Sequence, residues 1–103
     1  KYFPLTREPI TVAMIEPFSA RLAVLLAEKD RSPAWLAARA DLQRSTISRL
    51  LRGLRQVEPI TLLHLAPALG MSLRSLTAGT DAEAAGRRAL ELVKANLALM
   101  LQS

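Results

Sequence analysis

The sequence predicts an all-α fold of six helices, and three observations lead there. Half of the 103 residues are hydrophobic but only 4% are aromatic, so the core has to be built from aliphatic side chains, which favours helix over strand. Apolar residues recur at helical spacing, as Leu22, Leu25 and Leu26 do near the start. Helix-start and helix-stop residues then divide the chain into segments with short connections.

Three short helices are predicted in the first half of the chain. The first runs over about residues 18–29. The second begins at Ser32-Pro33, where a capping hydroxyl precedes a proline suited to the first helical position, and it stops at Asp41. The third begins near Arg44 and is followed by Gly53, a residue suited to the left-handed conformation after a helix. Its inward-facing stripe consists of Ile47, Leu50 and Leu51.

Three further helices are predicted in the second half. Glu58-Pro59 repeats the start signal for a fourth helix, which is expected to bend at Pro67 because proline lacks an N–H for the helical hydrogen bond. Ser72 can cap a short fifth helix that runs through Leu76. The last helix is long: it opens with the capping-box sequence TDAE at residues 80–83 and reaches about residue 101.

These elements predict a three-part organisation. Residues 1–17 form an arm, in which residues 11–15 have the composition of a short strand. Residues 18–80 form one helical domain, and residues 81–103 form a C-terminal helix. At this length a single core is expected.

Several function classes are disfavoured by what the sequence lacks. Without cysteine there are no disulfides or thiolate metal sites, which suits the reducing cytoplasm where we expect the protein to act. The apolar runs are too short to cross a bilayer, so no membrane partner is expected. His64 lies between two leucines without a carboxylate cluster nearby, and no phosphate loop, metal-ligand spacing or nucleophile motif occurs. We expect neither an enzyme nor a cofactor or metal site.

The positive charge is concentrated around the second and third helices. The net charge is +5, and residues 39–55 contain five arginines against the single acidic residue Asp41. Such a cluster suits a polyanion, although any one of these arginines taken singly would suit a solvated helix face. Two helices joined by three or four residues, the second short and basic, make a helix-turn-helix. Its small Ala37 and Ala40 allow close approach, and Leu42 is expected to be buried in the turn.

Two stretches resemble the Cro/repressor-type (XRE) helix-turn-helix family. They are "LAARADLQRSTISRLLRG" (residues 36–53) and "TLLHLAPALGMSLRSLTAGT" (residues 61–80), and the first predicted helix lies at the expected distance before them. The resemblance extends over about residues 18–80. It implies a five-helix Cro/repressor-like domain whose third helix lies in the major groove of double-stranded DNA, with its N-terminal residues on the base edges.

Carried over position by position, the resemblance implies two sets of DNA contacts. Arg44 and Arg49 suit guanine, whose O6 and N7 accept a bidentate pair of hydrogen bonds. Phosphates would be held at the start of the second helix and by the segment after the third, including the backbone amides of residues 57–60. The expected base-reading residues are Gln43, Arg44, Ser45, Ser48 and Arg49, and the expected phosphate contacts are Ser32, Arg52, Arg55 and Gln56.

Three features depart from the family's pattern. Pro33 stands where the family usually has a glutamine that contacts the DNA backbone, and proline cannot make that contact. Asp41 replaces the turn glycine, and we expect it to tolerate the left-handed conformation. Leu26 and Leu51 occupy the places of a frequent Arg–Glu pair. Because replacing both partners of a buried pair by apolar residues is often neutral or stabilising, we expect these two leucines to touch in the core.

The C-terminal helix is predicted to be a dimerisation element. It is apolar almost all round from Leu97 onward, and such a helix has to be buried on more than one side. Pairing with a second copy would set two third helices about 34 Å apart, the spacing that reads a palindrome. The alternative is that the helix folds back on its own domain. The expected dimerisation residues are Leu90, Val93, Leu97, Met100 and Leu101.

The expected function is a sequence-specific, double-stranded DNA-binding transcriptional regulator, a repressor acting as a homodimer on a palindromic operator. One alternative is the antitoxin and autorepressor of a toxin–antitoxin pair, with the arm or the last helix binding the toxin. Another is a helix-turn-helix domain used for protein–protein contacts. That use predicts weak, sequence-independent DNA binding that fades steeply with salt.

Overall fold

The computed structural model describes residues 15–102, and this part of the chain contains six α-helices and no strand. The all-α prediction is confirmed. The predicted strand at residues 11–15 lies outside the described residues except for Ile15, which is in a bend. The helices are α1 (Phe18–Lys29), α2 (Pro33–Ala40), α3 (Arg44–Leu51), α4 (Pro59–Leu69), α5 (Leu73–Thr77) and α6 (Glu83–Gln102).

One aliphatic core joins the six helices. Each of α1 to α5 contributes at least one fully buried leucine or isoleucine, and α6 contributes Ala89. Burying such a side chain stabilises the fold by about 1.5–3 kcal/mol relative to leaving it in water. The largest fully buried side chains are Leu22, Leu36, Ile47, Leu62, Leu65, Leu69 and Leu76.

Left-handed residues follow the first four helices and set the short turns between them. Asp41 has φ 59° and ψ 46°, as predicted, and the amide of Leu42 donates to the Ala37 carbonyl at 2.9 Å across this turn. After α3 the left-handed residue is Gly53, with φ 71°, which follows the right-handed Arg52. Asp30 and Gly70 are the left-handed residues after α1 and α4. Pro67 lies inside α4 as predicted, and the bend expected there stays a prediction.

Leu26 on α1 and Leu51 on α3 were expected to touch in the core, and the structure agrees in part. Leu26 is buried in the core, and the half-buried Leu51 packs against the same core cluster. Direct contact between the two side chains stays a prediction.

The junction before α1 and the junction before α6 are joined by backbone pairing. Glu16 and Thr80 form a parallel bridge, in which the Glu16 amide donates to the Gly79 carbonyl at 3.1 Å and the Asp81 amide donates to the Glu16 carbonyl at 3.0 Å. The Asp81 carboxylate accepts from the amide of Phe18 at 3.0 Å, so it caps α1.

The start of α6 differs in detail from the predicted capping box. The Thr80 hydroxyl accepts from the Ala82 amide at 3.0 Å, and the Glu83 carboxylate accepts from the Gly79 amide at 2.7 Å. Each bond is shifted by one residue from the standard arrangement, and α6 begins at Glu83.

Only the first half of α6 packs on the domain. Gly86 and Ala89 are buried against α4 and α5, whereas every residue from 91 to 102 is exposed. Within residues 15–102, no helix combines the length and apolar character needed to span a membrane.

Candidate nucleic-acid interface

Helix α3 buries one side and exposes the other. Ile47 and Leu50 are 0% and 2% exposed, and they fix the helix on the core. Positions i, i+1, i+4 and i+5 of a helix share a face, and here they are Arg44, Ser45, Ser48 and Arg49. Both arginines and Ser45 are exposed, and Ser48 is half-buried. The structure therefore brings four of the five predicted base-reading residues to one surface.

The fifth predicted reader, Gln43, precedes α3 as its N-cap residue. Its carbonyl accepts from the amides of Thr46 and Ile47 at 3.0 and 3.3 Å, while its side chain makes no capping bond. The exposed amide group is therefore available at the end of the helix that the family places deepest in the groove.

The arginines on this face carry charge that the described part of the chain does not neutralise. Within residues 15–102 the side chains of Arg44, Arg49 and Arg52 have no hydrogen-bond or ion-pair partner. All three are exposed. Three unpaired guanidinium groups on one short helix produce a local positive potential that attracts an anionic ligand.

The turn before α3 holds this helix in a fixed position against α2. Ala37 and Ala40 are 2% and 4% exposed, and their small side chains let the two helices approach. Leu42 is half-buried and packs on the core from the turn, as the sequence predicted. Because the helix is already fixed on the core, a rigid partner can bind its exposed polar face without a large loss of conformational entropy.

Comparison with known protein families decides what this arrangement is. A family model described as the Cro/C1-type HTH DNA-binding domain matches residues 21–77. The chain belongs to this family. The match spans more than half of the chain, from α1 to α5, and it confirms the resemblance found in the sequence. Neither the curated proteins nor the solved structures gave a significant match.

In this Cro/C1-type domain the start of α2 offers less to a phosphate than its sequence suggested. The Ser32 hydroxyl accepts from the Trp35 amide at 3.1 Å, and the Ser32 carbonyl accepts from the Leu36 amide at 3.2 Å. Pro33 has no N–H. The hydroxyl hydrogen of Ser32 and the backbone amides of Ser32 and Ala34 are the donors left at this end of the helix.

The segment after α3 contains an ion pair that sequence reasoning did not predict. Arg55 and Glu58 form an ion pair at 3.9 Å, and their side chains are 34% and 62% exposed. Glu58 thus places a negative charge beside a predicted phosphate contact, where it competes with phosphate for Arg55. The i, i+3 spacing of the two residues was the signal that could have revealed the pair. Gln56, the other predicted contact in this segment, is exposed.

The clustering of five arginines in residues 39–55 had suggested a single basic surface. In the structure Arg39 is not part of it. The Arg39 Nε donates to the Ala68 carbonyl at 2.9 Å, and its guanidinium lies 5.5 Å from the ring centre of Trp35. Arg39 is therefore directed toward α4. Arg31 stacks on the same ring at 5.1 Å, so Trp35 lies between two cations and contributes to packing on the flank of α2.

His64 has a structural role. Its Nδ1 donates to the Ala40 carbonyl at 2.9 Å, which joins α4 to the end of α2. Because a carbonyl oxygen only accepts, this ring nitrogen carries the hydrogen. Among residues 15–102, no group of three His, Cys, Asp or Glu side chains has a metal-binding arrangement.

Proposed function

We propose that this Cro/C1-type protein is a transcriptional repressor that binds a palindromic double-stranded operator as a homodimer, with α3 in the major groove. In this assignment Arg44 and Arg49 read guanine, Gln43, Ser45 and Ser48 contact neighbouring base edges, and Ser32, Arg52, Arg55 and Gln56 contact phosphates. The observation that carries the proposal is the exposed face of α3, whose arginines have no partner among residues 15–102.

The chemistry of these arginines supports base reading as well as general attraction to DNA. A guanidinium has paired N–H donors that match the O6 and N7 acceptors of guanine, and such a pair contributes about 1–3 kcal/mol of discrimination against other bases. Arg44 and Arg49 lie in consecutive turns of one helix, so they reach different base pairs. The more distant Arg52, at the end of α3, suits the phosphate backbone.

The test is selection of binders from a random duplex library at about 0.15 M salt, where the Debye length is about 8 Å and loose attraction is screened. We expect an enriched inverted repeat with half-sites about one helical turn apart. Arg44→Ala and Arg49→Ala should each remove the preference for one guanine, whereas Lys29→Ala, an exposed lysine in the last turn of α1, should leave the preference intact.

Selection without any enriched sequence would overturn the proposal. It would leave the arginines of α3 as a surface for protein contacts, and DNA binding would then be weak and would decline steeply with salt. Enrichment of a single half-site would contradict the dimer while preserving the role of α3.

The homodimer in this proposal is supported by the second half of α6. Val93, Leu97, Met100 and Leu101 are 42%, 54%, 71% and 80% exposed, and the fifth residue of the predicted stripe, Leu90, is half-buried. Light scattering at micromolar concentration checks it: we expect twice the chain mass of 11.3 kDa, and the mass of a single chain would refute the dimer.

A further inference from the structure

The second half of α6 extends beyond the domain as an apolar rod. We call residues 91–102 the α6 tail. At 1.5 Å per residue it is about 18 Å long, and all of its residues are exposed. Its large apolar side chains expose an area on the order of 600 Å², at the upper end of the largest patch on a typical monomer. A surface of this size marks an interaction site.

A groove lies at the other end of the same helix. It runs between α5 and the first half of α6, and it has an apolar floor formed in part by Leu73 and Leu90, with Arg74 and Arg87 among its lining residues. Gly86 and Thr77 line it where the two helices are closest. We call it the α5–α6 groove.

The groove and the tail belong to one continuous helix face. Residues 86, 90, 93, 97 and 101 follow one another at intervals of four, three, four and four, which keeps them on one side of an α-helix. The first two line the groove, and the last three are exposed on the tail. A partner helix lying along this face would therefore contact both.

We propose that the partner is the α6 tail of a second copy laid antiparallel, so that the two tails pair along this face and the last residues of each tail reach the end of the other copy's α5–α6 groove beside Leu90. The inference deepens the proposed homodimer and rests on it. A two-fold interface uses the same patch on both copies, so the patch has to be self-complementary. A chain that carries both a protruding tail and a matching groove meets this condition.

Direction and area both favour the antiparallel arrangement over a parallel one. A tail points away from its own groove, so in a parallel pair both grooves stay open and the contact is less than two heptads long, below the three or four heptads typical of a coiled coil. In the antiparallel pair each tail covers the other, and its end is also covered by the other copy's groove, so more of the exposed apolar surface is buried than in a parallel pair.

The proposed register pairs the apolar residues of the two helices. In a pair centred near residue 95, Leu90 faces the second copy's Met100, and Val93 faces the second copy's Leu97. Two Met100 side chains would then lie about 15 Å apart along the axis, beyond the reach of a disulfide. The chain contains no cysteine, so introduced thiols report this register without interference.

Cross-linking under mild oxidation tests the arrangement. We expect the double variant Leu90→Cys/Met100→Cys to form a covalent dimer on a non-reducing gel, and the single variants Leu90→Cys and Met100→Cys to stay unlinked. The two positions on one chain are themselves about 15 Å apart, so an internal disulfide does not compete. A covalent dimer from Met100→Cys alone would overturn the antiparallel register while leaving the homodimer in place.

A charge variant separates failure of the interface from failure of the fold. Leu101→Lys should weaken the dimer at least tenfold by light scattering across a dilution series, and Val24→Lys, at a 50% exposed site on α1, should leave it unchanged. Binding of Leu101→Lys to a DNA half-site shows that the domain is folded and that α3 still acts. Equal dimerisation of Leu101→Lys and the parent chain would refute the proposed contact.

Discussion

The left-handed backbone conformation of Asp41 lowers the stability of the fold. A non-glycine residue in this conformation is strained, and glycine removes the strain. We predict that Asp41→Gly raises the free energy of unfolding by about 0.5–1 kcal/mol, and that Asp30→Gly, with φ 55°, gives a similar gain. Urea denaturation measures both.

The control for these variants lies in the middle of α2. Ala38 is exposed and helical, so Ala38→Gly should lower the free energy of unfolding by about 1 kcal/mol. A loss of stability in Asp41→Gly would show that the aspartate side chain supports the turn in a way that outweighs the backbone strain.

Glu58 leads to a prediction about affinity. Removing its charge frees Arg55 for phosphate and removes repulsion at the proposed backbone contact, so Glu58→Gln should bind the selected operator about three- to tenfold more tightly, or roughly 0.7–1.4 kcal/mol. A fluorescence titration at fixed salt measures this. Glu28→Gln removes an equal charge from an exposed site on α1, outside the proposed DNA contacts and the α6 tail, and should have little effect. Unchanged affinity in Glu58→Gln would place this segment away from the DNA.

For single residues, the sequence predicted the properties that depend on neighbours along the chain. The conformation of Asp41 follows from its place between two short helices, and the exposure of Arg44 and Arg49 follows from helical spacing. The hydrogen bond from Arg39 to Ala68 did not follow, because a long flexible side chain selects its partner from residues that are distant in sequence. The Asp81 cap on α1 did not follow either, because Asp81 and Phe18 are 63 positions apart in the sequence.

The close packing of α5 on α6 depends on the absence of a side chain at Gly86. A Cβ there would lie 2.5 Å from the Thr77 Oγ1 and 3.2 Å from two of its carbons. Thr77 is buried, and its hydroxyl donates to the Leu73 carbonyl at 2.9 Å, so it has little freedom to move. The two helices therefore have to separate to admit a methyl group.

We predict that Gly86→Ala lowers the free energy of unfolding by about 1–3 kcal/mol, although alanine is the better helix former. Thermal denaturation followed by circular dichroism measures the loss. Adding Thr77→Ala to Gly86→Ala should recover part of it. On the exposed face of the same helix alanine is the more stable residue, so there the exchange in the opposite direction, Ala84→Gly, should lower the free energy of unfolding by about 1 kcal/mol or less. An increase in stability for Gly86→Ala would contradict the close packing.

The helices themselves were the most predictable part of the fold. Ser32 and Ser72 accept hydrogen bonds from the amides of Trp35 and Ser75, as their positions before the helices suggested, because capping depends on neighbours in sequence. The start of α6 was predicted less well. Its cap is shifted by one residue because the preceding segment pairs with Glu16, which is distant in sequence.

For the whole molecule, the salt dependence of the DNA-binding constant should distinguish arginines that contact phosphates from arginines that read bases. When a variant no longer neutralises one phosphate, the slope of log K against log salt becomes shallower by about 0.9. We predict that Arg52→Gln reduces the slope by about this amount and leaves the preferred sequence unchanged, whereas Arg44→Gln also changes that sequence. Titrations over a series of salt concentrations measure the slopes. An unaltered slope in Arg52→Gln would show that this residue does not bind phosphate.

The family and the exposed arginine-bearing face of α3 were predictable for the same physical reason: a helix-turn-helix is built from residues close in sequence. The path of α6 was not. Its sequence indicates a long helix that is apolar almost all round from Leu97 onward. Where that helix leaves the domain depends on how far α4 and α5 cover it, and they cover it only as far as Leu90.

Arg21 joins the two margins of the family-matched region. Its guanidinium donates to both carboxylate oxygens of Glu16, with the shortest distance 2.8 Å, and to the carbonyls of Ser75, Leu76 and Ala78 at 2.8–3.3 Å. The hydrogen bonds of this one side chain on α1 therefore connect the segment before α1 to the turn before α6. The amide hydrogens of the segment and the turn should exchange with deuterated solvent at a common rate, set by one cooperative opening in which both ends of the domain are released together.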